Sequence, residues 1–254
     1  MFENIIKNVH NRHPLIHCIT NYVSINDCAN IVLACGGAPI MAEDINEVSQ
    51  ITSICQGLDI NIGMLNDNKL SSMLKAGATA NELGIPVILD PVGAGSSDYR
   101  IKAVQNLMSN VQFGVIRGNV SEIKAIAAKQ GIHNIAAGVY ETMQKNKSAM
   151  GVEAGIADKI TDDNIKEMAD FINKLSQKTG AVIAVTGGID MVADENRVYA
   201  IRNGHKMMSL VTGAGCQLSA LTSAYVAADK EHILESVCAA VSVLGISGAL
   251  AYRR

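Results

Sequence analysis

Short continuous apolar runs alternate along this chain with longer segments whose apolar residues recur at helical spacing. Residues 86–89 and 181–185 are apolar without polar interruption, a pattern typical of parallel strands buried on both faces. Further runs predict strands at 14–20, 38–41, 58–62 and 114–116. The intervening segments predict helices at 1–11, 43–55, 67–83, 100–109 and 161–178, after Asn21 or Ser24, after Asn119, and on both sides of Asp229.

This alternation predicts an α/β fold in which helices cover both faces of a mostly parallel sheet, a three-layer α/β/α architecture. Residues 191–193 and 198–201 flank a polar turn and predict a hairpin, which adds antiparallel strands. Between 130 and 159 the pattern weakens because glycines interrupt it. We interpret that stretch as a connector with some irregular helix, so that residues 1–254 form one domain.

Composition narrows the class of protein. The 254 residues are 48% hydrophobic, enough for a large core. A net charge of -3, no run of basic residues, no Trp and 4% aromatic residues argue against nucleic acid as a partner. The start of the chain carries Glu3 in place of a basic lead, which predicts no signal peptide and a cytoplasmic protein. The six cysteines and six histidines show no zinc or redox spacing, so we expect reduced thiols.

One apolar stretch has nearly the length of a membrane span. Residues 236–252 are uncharged, and about 20 apolar residues suffice to cross a bilayer. The stretch is rich in Ala, Gly and Ser, follows Glu235 directly and lacks the Trp anchors typical of spans. The sequence therefore favours a helix buried in a protein core, with no membrane partner.

The segment 211–217 is the strongest candidate for chemistry. Residues 205–211 predict an extended run, and a long apolar helix follows from Gly215. The first amides of a helix lack partners and lie at its positive end, so the backbone from Gly213 to Cys216 is suited to cradle a phosphate. The same position predicts a lowered pKa for the Cys216 thiol. In the alternative interpretation, Gly213-Ala214-Gly215 is an ordinary turn and Cys216 a small buried residue.

Two carboxylates follow predicted strands of the same sheet. Asp90 ends a buried strand before a glycine-rich loop, and Glu122 lies on the helix after the next strand. The carboxyl ends of parallel strands share one edge, so both can serve one Mg²⁺ through water molecules. The alternatives are a turn-forming Asp before Pro91 and a solvated Glu three residues after an Asn119 cap.

Arg117 and Thr186 also end strands. Arg117 can bind phosphate oxygens or remain a surface cation, and Thr186 can contact a nucleotide or cap the turn at Gly187. The chain contains no Walker A sequence, and Gly213-Ala214-Gly215 lacks the third spaced glycine of a dinucleotide fingerprint. Neither common nucleotide motif is therefore present.

Taken together, these segments closely resemble the hydroxyethylthiazole kinase family of the ribokinase-like superfamily. The resemblance covers most of the chain and is carried by His17-Cys18-Ile19-Thr20-Asn21, Pro39-Ile40-Met41-Ala42, Asn61-Ile62-Gly63, Leu89-Asp90-Pro91-Val92-Gly93-Ala94-Gly95, Arg117-Gly118-Asn119-Val120-Ser121-Glu122, Val185-Thr186-Gly187 and Val211-Thr212-Gly213-Ala214-Gly215-Cys216.

The resemblance implies an enzyme of thiamine salvage in which ATP phosphorylates the primary alcohol of 4-methyl-5-(2-hydroxyethyl)thiazole. It also implies a homotrimer with the thiazole pocket between neighbouring subunits. The implied roles are Mg²⁺ binding by Asp90 and Glu122, nucleotide binding by Arg117, Thr186, Asn119, Ala214 and Gly215, thiazole binding by Met41, Gly213, Asn21, Val23 and Gly63, and catalysis by Cys216, which stands where most ribokinase-like kinases have Asp.

The sequence departs from the family pattern in three places. Glu153 stands where the family usually has the Asp of a Gly-Val-Asp sequence, and Gly188 stands where an acidic residue often follows Thr-Gly. The chain also stops at Arg254, short of the further C-terminal segment that many relatives carry.

Three rival functions stay open at this point. The first is a kinase or ATP-dependent dehydratase that acts on another small substrate. The second is a hydrolase or transferase with Cys216 as covalent nucleophile, and the third is a nucleotide-binding regulator without catalysis.

Overall fold

The computed structural model describes residues 2–132 and 159–254. Its eight strands form one sheet in the order β2-β1-β3-β4-β5-β6-β7-β8. The strands are β1 (Leu15–Ile19), β2 (Ala38–Met41), β3 (Gly57–Asn61), β4 (Val87–Asp90), β5 (Val115–Asn119), β6 (Val182–Thr186), β7 (Asp190–Ala193) and β8 (Val198–Ile201). Neighbours from β2 to β6 pair in parallel, and β7 and β8 add antiparallel pairs. The parallel sheet and the hairpin are thereby confirmed.

Helices cover both faces of this sheet. They are α1 (Phe2–Arg12), α2 (Ile25–Ala34), α3 (Val48–Ile54), α4 (Asp67–Glu82), α5 (Asp98–Asn110), α6 (Val120–Lys129), α7 (Ile165–Thr179), α8 (Ala214–Ala228) and α9 (Ile233–Tyr252). Buried residues of α3 to α7 form one apolar cluster with one face of the sheet. Those of α1, α2, α8 and α9 form a second cluster with the other face. The architecture has three layers, as the sequence predicts.

Alternation along each strand assigns side chains to these two layers. Leu58 and Ile60 belong to the cluster beneath α3 to α7, and Cys18 and Ile88 to the cluster beneath α8. Because successive strand residues point to opposite faces, Asp59 shares the α8 side. The same alternation determines which face of the sheet each polar residue at a strand end points to.

Several predicted boundaries are wrong by a few residues because polar side chains form turns first. The helix expected from residue 43 begins at Val48, since Asp44 accepts a hydrogen bond from the Asn46 amide at 2.8 Å. The helix expected from 161 begins at Ile165, after Asn164 accepts from the Thr161 amide at 2.8 Å. Ser24 is the residue before α2 but makes no capping bond through its side chain.

The extended run expected at 205–211 is also wrong. Lys206–Leu210 forms a short 3-10 helix, and the His205 ring accepts a hydrogen bond from the Met207 amide. The predicted connector at 130–159 lies largely outside the described residues, as does Glu153, since residues 133–158 are not described.

α9 has the length and apolar composition of a membrane span, the one such helix in the described part of the chain. Half of its most apolar stretch is buried inside the protein, where it packs on α8 and α1. A buried core helix passes the same test of length and composition, so the finding is weak evidence for a span.

α8 lies along β3 through three matched positions. A side chain at Gly57 would come within 3.2 Å of the Ser223 carbonyl, so glycine allows the helix to approach the strand closely. Two residues along the strand, Asp59 accepts a hydrogen bond from the Ser219 hydroxyl. The next residue on this face, Asn61, lies beside Cys216. Strand and helix therefore run in a fixed register.

Asp59 is fully buried, and its second carboxylate oxygen has no partner among the described residues. Burial, reinforced by the charge of Asp90, raises the pKa of Asp59 to about 8. The carboxyl group is therefore protonated in the folded protein at neutral pH.

Asp59→Asn should remove a pH dependence of stability. Between the ordinary pKa of Asp and about 8, the folded protein binds one more proton at Asp59 than the unfolded chain does. The free energy of unfolding of the wild type should therefore fall, relative to the variant, by up to about 1.4 kcal/mol per pH unit as pH rises through that window. Urea unfolding from pH 5 to 9 measures this difference. The control Asp170→Asn, at an exposed position, should show the same pH dependence as the wild type. If the wild type and Asp59→Asn also had the same pH dependence, the raised pKa of Asp59 would be contradicted.

Candidate active site

Polar side chains gather where four neighbouring strands end. Asn61, Asp90 and Thr186 are the last residues of β3, β4 and β6, and Arg117 lies two residues before the end of β5. Asn61 and Asp90 are register partners. Since ligands of open α/β sheets bind beyond the carboxyl ends of the strands, this edge is the candidate site.

Arg117 joins the pieces of this edge. Its Nη1 donates to Asp90 Oδ2 at 3.1 Å, and its Nη2 donates to Thr186 Oγ1 at 3.0 Å. Asn61 Nδ2 donates to the same Asp90 oxygen at 2.8 Å. Arg117 is only 5% exposed, so the alternative of a surface cation is wrong. Asp90 contacts Arg117 instead of forming a turn before Pro91.

The first turn of α8 lies against this guanidinium. A Cβ atom at Gly215 would come within 2.9 Å of Arg117 Nη1. Gly213 has φ +76°, and a Cβ there would come within 2.7 Å of Ser24 Cβ. Glycine is therefore required at both positions, once for conformation and once for space. The Ala214 amide donates weakly to the Val211 carbonyl at 3.4 Å, so Gly215 and Cys216 present the amides best placed for an anion.

The expected acidic thiol is wrong. Cys216 is 6% exposed, and Asn21 Nδ2 donates a hydrogen bond to its sulfur at 3.4 Å. Burial and then the charge of Asp90 raise the pKa of Cys216, and the nearby Arg117 does not offset them. The end of a helix is thus insufficient to stabilise a thiolate here, and the group is a neutral thiol at pH 7.

Glu122 is held by the backbone. Its Oε1 accepts from the Gly93 amide and its Oε2 from the Asn119 amide, both at 2.8 Å. With Asn119 it forms a capping box at the start of α6, so the capping alternative is confirmed, although Glu122 is buried and not solvated. Burial and then Asp90 raise the pKa of Glu122, which places the two carboxylates in one electrostatic environment.

The donor set fits Mg²⁺ with phosphate as a co-ligand. Asp90 Oδ1 is a buried oxygen without a partner among the described residues. No cluster of three or more ligating side chains occurs in the described ranges. Mg²⁺ is typically bound by one or two carboxylates together with water and substrate phosphates, and Asp90 with Glu122 matches that pattern.

The structure brings some of the predicted thiazole-binding residues together. A Cβ atom at Gly63 would come within 2.4 Å of Asn21 Nδ2, and Asn21 contacts Cys216. Gly213 adjoins Ser24. Met41 ends β2 and is half-buried, whereas Val23 is 64% exposed. The Val23 amide donates to Asn21 Oδ1 at 2.8 Å, which ties Val23 to the same turn. Met41 is the register partner of Cys18 on β1.

Some residues of this edge escape prediction from the sequence. Asn61 ends a strand, a signal that could have identified it. Arg100 donates to the carbonyls of Ile62, Gly63 and Val92 and so ties two loops together. Nothing in the sequence around Arg100 signals these distant partners.

A cavity of 470 Å³ lies elsewhere in the molecule. It is at the amino ends of β5 and β6 and contains none of the predicted site residues. The candidate site is therefore defined by converging polar groups and not by this cavity.

Comparison with known proteins identifies the family of this chain. The sequence profile of the Hydroxyethylthiazole kinase family matches residues 6–254. A hydroxyethylthiazole kinase of Clostridium acetobutylicum is 51% identical over 254 residues, which are 100% of this chain and 87% of that relative. The structure of a hydroxyethylthiazole kinase protein from Pyrococcus horikoshii has a TM-score of 0.83 and 32% identity, and the match covers 99% of this chain and 85% of that one.

A ribokinase-like superfamily protein from Enterococcus faecalis has a TM-score of 0.61 at 11% identity, with 98% of this chain and 81% of that one covered. At this identity the likeness shows the fold alone, which is ribokinase-like. The profile match and the identity over the whole chain show more: this chain belongs to the hydroxyethylthiazole kinase family.

Proposed function

We propose that this protein transfers the γ-phosphoryl group of ATP to the primary hydroxyl of 4-methyl-5-(2-hydroxyethyl)thiazole, a step of thiamine salvage. Family membership supports the reaction. The observation that carries it is the buried guanidinium of Arg117, which contacts Asp90, Thr186 and the first turn of α8 at once. A cation, a carboxylate and helix amides thereby converge on one place.

The nucleotide side lies on β4 to β6. Arg117 supplies fixed positive charge for the phosphates, and the amides of Gly215 and Cys216 add the positive end of α8. Thr186 Oγ1 accepts from Arg117 and donates to the Gly118 carbonyl at 3.4 Å, so its hydroxyl is oriented beside the nucleotide. Asn119 shapes the same corner by capping α6. These groups stabilise charge that develops on the transferred phosphoryl group.

Asp90 and Glu122 would hold Mg²⁺. When bound, the metal neutralises charge on the phosphate oxygens. Asp90 offers its unpartnered oxygen Oδ1, and Glu122, with both oxygens bonded to amides, serves through water.

On the alcohol side, the neutral thiol of Cys216 positions the hydroxyl instead of removing its proton. A thiol is a poor base for an alcohol, and the loose transition state of phosphoryl transfer needs little help from a base. Asn21 orients the sulfur, and Gly63 leaves the space that Asn21 occupies. Met41, Val23 and Gly213 would complete the thiazole walls. A covalent role for Cys216 is disfavoured because burial keeps it protonated.

We also propose that the protein is a homotrimer whose active sites lie between neighbouring subunits. We expect it in the cytoplasm. Apolar side chains near the site are exposed in the single chain: Val23 is 64%, Leu210 74% and Val211 56% exposed. Exposed apolar residues clustered beside a site are typical of a surface that a partner covers. A neighbouring subunit would bury them and close the pocket.

ADP formation with a panel of alcohols tests the reaction. The purified protein should form ADP in the presence of Mg²⁺ with the thiazole alcohol and not with hydroxymethylpyrimidine or hydrated nicotinamide nucleotides. Mass spectrometry of the product should show one added phosphate group. Turnover with another of these substrates, or ATP binding without turnover, would overturn the proposed function.

Cys216→Ala should lower kcat roughly 10- to 100-fold and leave ATP affinity measurable, because a displaced hydroxyl slows transfer without removing phosphate contacts. Steady-state kinetics and ATP titration measure the two effects. Cys238→Ala, which removes another buried thiol on α9, is the matched control and should retain turnover. A covalent adduct isolated on Cys216 would contradict the positioning role.

Asp90→Asn should reduce Mg²⁺-dependent turnover about 100-fold or more, because it removes the charged metal ligand. It also leaves Arg117 buried without its charge partner, so the free energy of unfolding should fall by about 3–5 kcal/mol. Kinetics at varied Mg²⁺ and urea unfolding report on the two effects separately. The exposed Asp163→Asn loses the same charge and should change neither. Unaltered metal dependence in Asp90→Asn would remove Asp90 from the metal site.

A further inference from the structure

A buried lysine connects three segments at the carboxyl edge of the sheet. Lys69, in the first turn of α4, is 2% exposed. Its ammonium donates to the Thr20 carbonyl after β1 and pairs with Glu43 Oε2 after β2 at 2.9 Å. It also lies 4.5 Å from the centroid of the Tyr22 ring. The Tyr22 hydroxyl donates to the other oxygen of Glu43, so Lys69, Glu43 and Tyr22 form a closed cluster, here called the Lys69 clamp.

The clamp is built to hold its geometry. A buried ammonium must keep its partners, because one left without them is strongly destabilising. The backbone of Lys69 is fixed as well, since its amide donates to the Asn66 cap at 2.9 Å. Partial burial would raise the pKa of Glu43, but hydrogen bonds from Tyr22 and Lys69 outweigh it and keep that pKa below its ordinary value. Glu43 therefore stays ionised throughout the neutral range.

The segments that Lys69 joins carry the alcohol side of the site. The Thr20 carbonyl that it holds immediately precedes Asn21, the residue that orients the Cys216 sulfur. Glu43 lies two residues after Met41, at the end of β2. Arg117 and Thr186, which serve the nucleotide, belong to β5 and β6 and are absent from the contacts described for the clamp. The contacts of the clamp thus lie on one side of the site.

Lys69 itself is an unsuitable ligand for phosphate. Its charge is compensated by Glu43, and its ammonium is buried and engaged with the Thr20 carbonyl. Phosphate binding would require both contacts to break. A role through neighbouring residues is the one that the contacts allow.

We propose that the Lys69 clamp positions Asn21 and the end of β2 against Cys216 and thereby sets the KM for the thiazole alcohol. Lys69, Glu43 and Tyr22 are positioning residues, since they act through Asn21 and Met41. The inference rests on the proposed function and adds the residues that determine its affinity for the alcohol.

Lys69→Met tests the clamp, because it removes the ammonium and keeps most of the aliphatic stem. The KM for the thiazole alcohol should rise about tenfold, and the KM for ATP should stay within about twofold, since only one wall of the site is displaced. Circular dichroism and ATP affinity establish that the variant is folded. Lys174→Met, an exposed position on α7, is the control for a lost lysine charge and should match the wild type.

A mutant cycle with Glu43→Gln provides a readout that a merely structural role would not move. If the pair acts as one unit, the effects of Lys69→Met and Glu43→Gln on the alcohol KM should be far from additive. Three results would overturn the positioning role of the clamp and leave the proposed function standing. They are additive effects, an equal rise of the KM values for ATP and for the alcohol, and a folded Lys69→Met with an unchanged alcohol KM. A wild-type protein that does not phosphorylate the thiazole alcohol would overturn the proposed function and the clamp with it.

Discussion

A guanidinium buried under the first turn of a helix is the constraint around which the site is built. Arg117 lies at the end of a central strand and is 5% exposed, so its charge has to be met by protein groups. Asp90 meets it from the neighbouring strand and Thr186 adds a hydroxyl from the other side. The absence of a side chain at Gly215 follows from the same packing. Such a pair contributes little net stability, because desolvation offsets the attraction. The pair instead fixes the position and orientation of the Arg117 guanidinium.

The phosphate side and the alcohol side of the proposed site are built differently. The phosphate side consists of residues at the ends of hydrogen-bonded strands, whose positions are fixed by the sheet register. The alcohol side consists of turns after β1, β2 and β3, which depend on side-chain contacts such as those of Lys69 and Arg100. Turns of this kind are less stable locally than central strands. In the proposed reaction, the more adaptable side would determine specificity and the rigid side would stabilise charge.

The sequence predicts those features of the structure that depend on residues close together along the chain. Apolar runs and helical periodicity identify most elements. The rule that parallel strands present their carboxyl ends at one edge places Asp90 and Glu122 near each other, and the charge of Asp90 does act on Glu122. The Asn119 and Glu122 spacing predicts a capping box, which is confirmed. The sequence does not predict the neutral state of Cys216, because that state depends on burial and on the charge of Asp90, which is distant in sequence. The Lys69 clamp has no local signal either, since its partners are 26 and 49 positions away along the chain.

The position of α8 has a consequence for how the chain acquires its fold during synthesis. This helix packs against α1, α2, β1, β3 and β4, elements that are all made much earlier. Until residues 214–228 leave the ribosome, the sheet face with Cys18, Ile88 and Val115 has no central cover. An exposed apolar sheet face favours aggregation. A nascent chain that stops short of α8 thus lacks the helix amides of the proposed phosphate site and is prone to associate, so the same helix completes that site and covers the sheet in a single late event.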